Sequence, residues 1–104
     1  MTDLSVEVER VPAATLVRLG GDLDKVSAPD LREVLLGLVD EGFVTIIVDT
    51  GELVFCDSRG LWVLVELHRK LQEKGGCVRL TGVHGVLKRV LDVTGLKPLF
   101  ESQL

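Results

Sequence analysis

Leu4, Val6 and Val8 alternate with polar neighbours near the start of the chain, and Leu16, Val17 and Leu19 repeat that alternation less strictly. A period of two puts one set of side chains on one face of a strand. Pro12-Ala13-Ala14 lies between the two runs and reads as a turn, so an opening β-hairpin is predicted. Gly20-Gly21-Asp22-Leu23-Asp24 then breaks the pattern. Ser27-Ala28-Pro29-Asp30 has the composition of a helix start, with Ser27 as N-cap, proline in the first turn and an acid three residues on. Leu31, Val34, Leu35, Leu38 and Val39 follow at helical spacing, and Gly42 supplies the stop.

Phe43 to Val48 is continuous, apolar and rich in β-branched residues, as expected of a central strand covered on both faces. A helix is predicted over 58–74, ended by Gly75-Gly76, and Cys77 to Thr81 reads as another strand. A third helix near 85–93 and a short extended end at Pro98-Leu99-Phe100 complete the chain. The order β-β-α-β-α-β-α places the chain in the α/β class. It implies a mixed sheet, with an N-terminal hairpin followed by parallel strands joined through helices packed against them. The loops after parallel strands gather on one edge, where open α/β sheets engage ligands and partners. Asp49 to Asp57 and the Gly82 to Gly85 turn are expected there.

Bulk properties narrow the function. At 104 residues the chain has room for one domain over 1–104, and no repeat, linker or low-complexity segment interrupts it. A net charge of −4 without a Lys/Arg cluster argues against direct nucleic-acid binding. No apolar run is long enough for a membrane span, and Met1-Thr2-Asp3-Leu4 lacks the basic start of a signal peptide, so a cytoplasmic location is expected. Cys56 and Cys77 have no metal-ligand spacing and read as reduced core residues.

The candidate chemistry sits in Asp57-Ser58-Arg59-Gly60-Leu61, a polar turn at a strand-to-helix junction. A helix N-terminus has unpaired N–H groups and partial positive charge, so a serine there can cap the helix or carry a phosphate. Its third role would be a hydrolase nucleophile, which needs a sharp Gly-x-Ser-x-Gly elbow and a histidine base. Here Cys56 stands where the first glycine would be. His68 is ten residues further along the same helix, about 15 Å away. His84 occupies a turn on the same sheet edge, with no orienting acid in view. Asp22, Asp24 and Asp57, with Asp49, can be drawn as an acidic metal site or receiver-type pocket, but octahedral convergence is not visible in a sequence and the opening hairpin does not suit a receiver. Solvated loop acids are the default, with no metal and no cofactor expected; no phosphate-binding Gly-x-x-x-x-Gly-Lys-Ser/Thr loop is present.

Gly21-Asp22-Leu23-Asp24, Ser27 to Arg32, the strand ending Ile47-Val48-Asp49, and Leu53 to Leu61 with its Asp57-Ser58-Arg59-Gly60-Leu61 core together resemble the STAS domain of anti-sigma factor antagonists. The resemblance covers nearly the whole chain and extends to Thr94-Gly95-Leu96 in the closing segment. It implies a binding module rather than an enzyme. Ser58 would be phosphorylated by an anti-sigma factor that is also a serine kinase. The unphosphorylated chain would bind that kinase and free a sigma factor, and a phosphatase would reset the switch. The implied partner surface takes in Asp22, Asp24, Asp57, Arg59, Gly60, Leu61 and Trp62.

Two positions depart from the family pattern. Arg59 is long and cationic where many members have a small residue, and it is suited to a phosphate on Ser58, to an acidic partner, or simply to solvent. Thr50-Gly51-Glu52 replaces a family-typical Ser-Gly ahead of the acceptor. Trp62 falls one turn after Ser58. With Leu61, Leu64, Val65 and Leu71 supplying a core face, Trp62 and Val63 are expected to stay partly exposed as an interface anchor, or else to pack on a neighbouring helix. A phosphate on Ser58 would add about −1.5 to −2 charges, favoured by the helix dipole and opposed by the nearby acids, so the switch is expected to act at the partner surface rather than by refolding. The alternatives are a stand-alone STAS module in a stressosome-like scaffold or lipid-transporter complex and, less in keeping with the residues, a small serine hydrolase.

Overall fold

A computed structural model describes residues 3–100. In chain order the elements are β1 (Ser5–Val11), β2 (Ala14–Leu23), α1 (Ala28–Asp40), β3 (Thr45–Cys56), α2 (Ser58–Glu73), β4 (Cys77–Thr81), α3 (Gly85–Thr94) and a 3-10 turn (Lys97–Phe100). The strands lie in the order β1-β2-β3-β4, with β1 antiparallel to β2 and the other pairs parallel. The opening hairpin and the mixed sheet are therefore as the residue pattern predicts. The end of the chain differs, because Pro98 to Phe100 form a 3-10 turn rather than an extended segment. It seats Phe100 in the core, with its ring edge-on to His68 at 6.1 Å between centroids.

Each parallel connection steps one strand in the same direction across the sheet. Right-handed crossovers then deliver both connecting helices to one face. There Val17 and Leu19 of β2, Ile46 and Val48 of β3 and Val78 of β4 share a core with Leu31, Leu35 and Leu38 of α1 and Leu64, Val65 and Leu71 of α2. The opposite face is open: Glu7, Arg18 and Arg79 are exposed there, and Leu16 and Ile47 are half-buried. The central strand is thus covered on one face only, which corrects the expectation of two. Cys77, on the same open face, is exposed rather than buried, while Cys56 is in the core.

The larger correction concerns β2 and β3. Gly20 to Leu23 and Asp49 to Cys56, read as irregular from the sequence, continue as paired strand. The register between them shifts twice, at Arg18/Gly20 and at Gly21/Asp22. Each shift inserts an extra residue on β3 and breaks the two-residue period that reveals a strand in sequence. A Cβ on Gly20 would lie 2.8 Å from Oγ of Ser5, its partner on β1, a contact that rotation of the serine side chain can relieve. β3 outruns β4, which ends level with Asp49. The tips of β2 and β3 consequently project together, beyond the rest of the sheet, and carry the loops that lead into α1 and α2.

Candidate functional site

Leu23 at the tip of β2 and Cys56 at the tip of β3 are paired, and Asp57 continues the link by donating its amide to the Leu23 carbonyl at 3.1 Å. Asp57, not Ser58, is the N-cap of α2. Its backbone is extended (φ −97°, ψ −175°) and its Oδ1 accepts from the Gly60 amide at 3.0 Å. Its second oxygen, Oδ2, accepts from the Lys25 amide at 3.2 Å. One carboxylate therefore caps the helix and ties down the β2–α1 loop, satisfying two backbone donors.

That arrangement leaves Ser58 as the first residue of α2 with no capping duty. It is exposed, and its hydroxyl has no hydrogen bond to any other described residue. Gly60 is buried directly beneath. A Cβ at that position would come 2.5 Å from Leu23 Cγ and 2.9 Å from the Leu23 carbonyl oxygen, so only glycine lets α2 start this close to β2. Leu61 is also buried, and both residues shape the site from below rather than offering side chains to solvent. Arg59 is exposed and makes no ion pair among the described residues. Trp62 is 54% exposed, with the Arg69 guanidinium 5.9 Å from its ring centroid. Val63, expected beside it at the surface, faces the core instead.

The β2–α1 loop holds itself in shape. Asp24 Oδ1 accepts from the Val26 and Ser27 amides at 2.9 and 3.1 Å. Ser27 Oγ accepts from the Asp24 amide at 3.0 Å and donates to the Asp22 carbonyl at 2.9 Å. Ser27 does occupy the N-cap position of α1, but its hydroxyl closes this loop and makes no cap bond to the helix. The Ser27 amide above all, joined by the Val26 amide, the Ser27 hydroxyl and the Lys25 charge, holds the Asp24 carboxyl below its ordinary range against the opposing effect of desolvation. Asp24 is thus a loop-shaping residue as well as a surface acid. Asp22 lies at the end of β2, half-buried and paired with Phe55. Among the described residues no group of three or more His, Cys, Asp or Glu side chains is placed to hold a metal.

Neither histidine meets Ser58. His68 lies on α2 at the expected remove, with Nδ1 buried and unbonded. His84 occupies the N-cap position of α3 without a side-chain bond to the helix, and its Nε2–H donates to the Gly51 carbonyl at 3.0 Å. Gly51 is five residues of strand before Cys56, on the order of 15 Å from the tip. The Gly82 to Gly85 turn is accordingly set back from the serine. Thr50, at the family-variant position, is buried and donates its hydroxyl to the Thr81 carbonyl at 2.8 Å, tying β3 to the end of β4. Beside the serine, burial and the neighbouring Asp57 charge push the Cys56 thiol up to about 12, so it stays protonated and unreactive.

Three exposed apolar residues that the sequence pattern does not single out lie at the same tip. Val26 is 72% exposed in the clamped loop, and Val54 and Phe55 are 65% and 41% exposed at the end of β3. Leu53 pairs with Gly21 and Phe55 with Asp22, so Val54 is the inserted residue of the second register shift. The available signal was an apolar run, Leu53 to Cys56, running straight into a polar turn. An exposed serine, flanked by apolar side chains from a loop, a strand end and a helix, is suited to being covered by another macromolecule.

Comparison with known proteins places this geometry in a family. The family model described as the STAS domain matches residues 5–104. The anti-sigma-B factor antagonist of Bacillus subtilis (strain 168) is 30% identical over 99 residues, covering 95% of this chain and 90% of that protein. That of Staphylococcus epidermidis is 34% identical over 83 residues, covering 80% and 77%. The crystal structure of an anti-sigma factor antagonist from Mycobacterium paratuberculosis superposes with a TM-score of 0.82 at 25% identity, covering 94% of this chain and 83% of that one.

Proposed function

The chain belongs to the STAS domain family, and on that premise we propose that it is an anti-sigma factor antagonist, a cytoplasmic switch whose phosphate acceptor is Ser58. In the unphosphorylated state it binds an anti-sigma factor with serine kinase activity and so frees a sigma factor. Phosphorylation ends that binding, and a phosphatase restores it. The observation that carries the reading is the state of Ser58. Its hydroxyl is exposed, unbonded within the described residues and relieved of capping by Asp57. In the kinase reaction Ser58 Oγ would attack the γ-phosphorus of ATP, ADP would leave, and a base on the kinase would take the hydroxyl proton.

Val26, Phe55 and Trp62 supply apolar area around the acceptor, and Arg59 supplies charge. A dianionic phosphate placed among them adds bulk and desolvation cost to an interface suited to a small hydroxyl. Burial of Gly60 and Leu61 keeps α2 seated on β2, so the change acts at the surface. No helix among the described residues is long and apolar enough to cross a membrane.

The test is incubation with Mg-ATP and each serine-kinase anti-sigma factor of the source organism, read by intact-mass and peptide mass spectrometry. One phosphate on Ser58, absent from Ser58→Ala, is expected with the kinase that binds the chain, and Ser58→Asp should bind that kinase more weakly. A kinase that binds but leaves Ser58 unmodified, or modifies another residue, overturns the assignment.

A further inference from the structure

The protein carries a net charge of −4, yet the outward stripe of α2 is cationic from Arg59 to Lys70. Arg59, Trp62, Glu66, Arg69 and Glu73 succeed one another at helical spacing along about 20 Å of one face, with the exposed Glu73 at the far end from Ser58. Glu66, the carboxylate between Trp62 and Arg69, is held by Arg32 of α1 through two 2.8 Å bonds, Nε to Oε1 and the terminal nitrogen to Oε2. The guanidinium, first by hydrogen bonding and then by its charge, holds the Glu66 carboxyl below its ordinary range, so the pair stays closed near neutrality. Arg59 and Arg69 make no ion pair among the described residues, and Trp62 stands exposed between them with Arg69 over its ring. Asp22 and Asp24 lie at the end of β2 and in the loop after it, and Asp57 caps the start of α2; the carboxylates of Asp24 and Asp57 are already engaged with backbone amides.

We propose that the α2 stripe of Arg59, Trp62 and Arg69 docks an acidic surface of the anti-sigma factor, with an apolar pocket for the Trp62 ring flanked by carboxylates. The inference rests on the function proposed above and specifies the partner's chemistry. Three features point to that occupant: two guanidinium groups without an ion pair among the described residues on a protein of net negative charge, an exposed aromatic anchor between them, and direct continuity with Ser58, which adjoins Arg59 and lies one turn before Trp62. Tryptophan and arginine are the residue types that dominate binding energy at interface centres. Electrostatic complementarity of this kind also fixes orientation and speeds encounter.

An acidic partner explains the sign of the switch. Phosphate on Ser58 brings negative charge to the edge of a negative surface and gives Arg59 a competing anion on its own chain. Attraction is thereby converted to repulsion without movement of the fold. A basic partner would instead bind the phosphorylated form more tightly.

The test is calorimetric titration of the chain against the purified serine-kinase anti-sigma factors of the source organism over a series of salt concentrations. Wild-type affinity should fall as salt rises. Arg59→Gln with Arg69→Gln should bind about tenfold more weakly at low salt and flatten that dependence. Trp62→Ala should lose about thirtyfold or more with the salt dependence retained. Arg79→Gln, on the open sheet face, is the control and should match wild type. If a kinase binds and the α2 variants keep wild-type affinity and salt dependence, the acidic docking surface is wrong while the proposed function stands. If no such kinase binds the wild-type chain, both fall together.

Discussion

Gly60 and Leu23 are in such close contact that any side chain in place of the glycine would force the two elements apart. A methyl group on Gly60 would overlap Leu23 Cγ at 2.5 Å, and α2 would have to lift from β2. This one contact sets the height at which Ser58 stands above the sheet. Gly60→Ala should therefore cost about 1–3 kcal/mol, read as a lowered urea midpoint, and should weaken kinase binding although Gly60 itself is buried. An unchanged midpoint would show that α2 is free to shift.

Asp57 and Ser58 should separate cleanly by mutation. Asp57→Ala removes the α2 cap and the tie to Lys25, at a cost of about 1–2 kcal/mol. Asp57→Asn, which keeps an acceptor oxygen, should recover much of it. Ser58→Ala should change stability by less than about 0.5 kcal/mol, because its hydroxyl supports nothing in the fold. Chemical denaturation of the three variants checks the order, and an equal loss in Ser58→Ala would return the capping role to the serine.

The two thiols should react at very different rates. Cys77 is exposed, whereas Cys56 is buried with its thiol pushed up to about 12. Ellman's reagent at pH 8 should titrate one thiol rapidly in the native protein and the second only after denaturation. Cys77→Ser should abolish the fast phase. Fast modification of Cys56 would mean that the strand tip beneath Ser58 opens.

Acid should weaken the fold through the carboxyls of Asp24 and Glu66. Both are held low in the folded state, Asp24 by its loop amides and Glu66 by Arg32. A depressed folded value means that the stabilisation is present above the unfolded carboxyl range near ~4 and is lost as pH falls through the folded values. Urea midpoints measured from neutrality down to strong acid should show that loss, and Asp24→Asn with Glu66→Gln should flatten it. Both groups are near the surface, so the effect is small and salt-sensitive.

Much of this protein can be read along the chain. The periods of Leu4 to Leu19 and of Leu31 to Val39, and the glycine stops at Gly42 and Gly75, determine element type, because local sterics and one-sided burial act over a few residues. With β-β-α-β-α-β-α in hand, handed crossovers leave few ways to order the strands. Ser58 at a helix start, and the accompanying Gly21-Asp22-Leu23-Asp24, were legible for the same reason. Tertiary structure decided what depends on partners distant in sequence. The two register shifts that carry β2 and β3 on as strand exist only in their pairing, so Val54 and Phe55 gave no strand signal and their exposure was hidden. Single-sided helix packing, which leaves Cys77 and the Arg18 face uncovered, follows from strand order. The second duty of Asp57, tying down the β2–α1 loop, depends on the Lys25 amide, 32 positions away in sequence, which meets the aspartate only once the strand tips are paired.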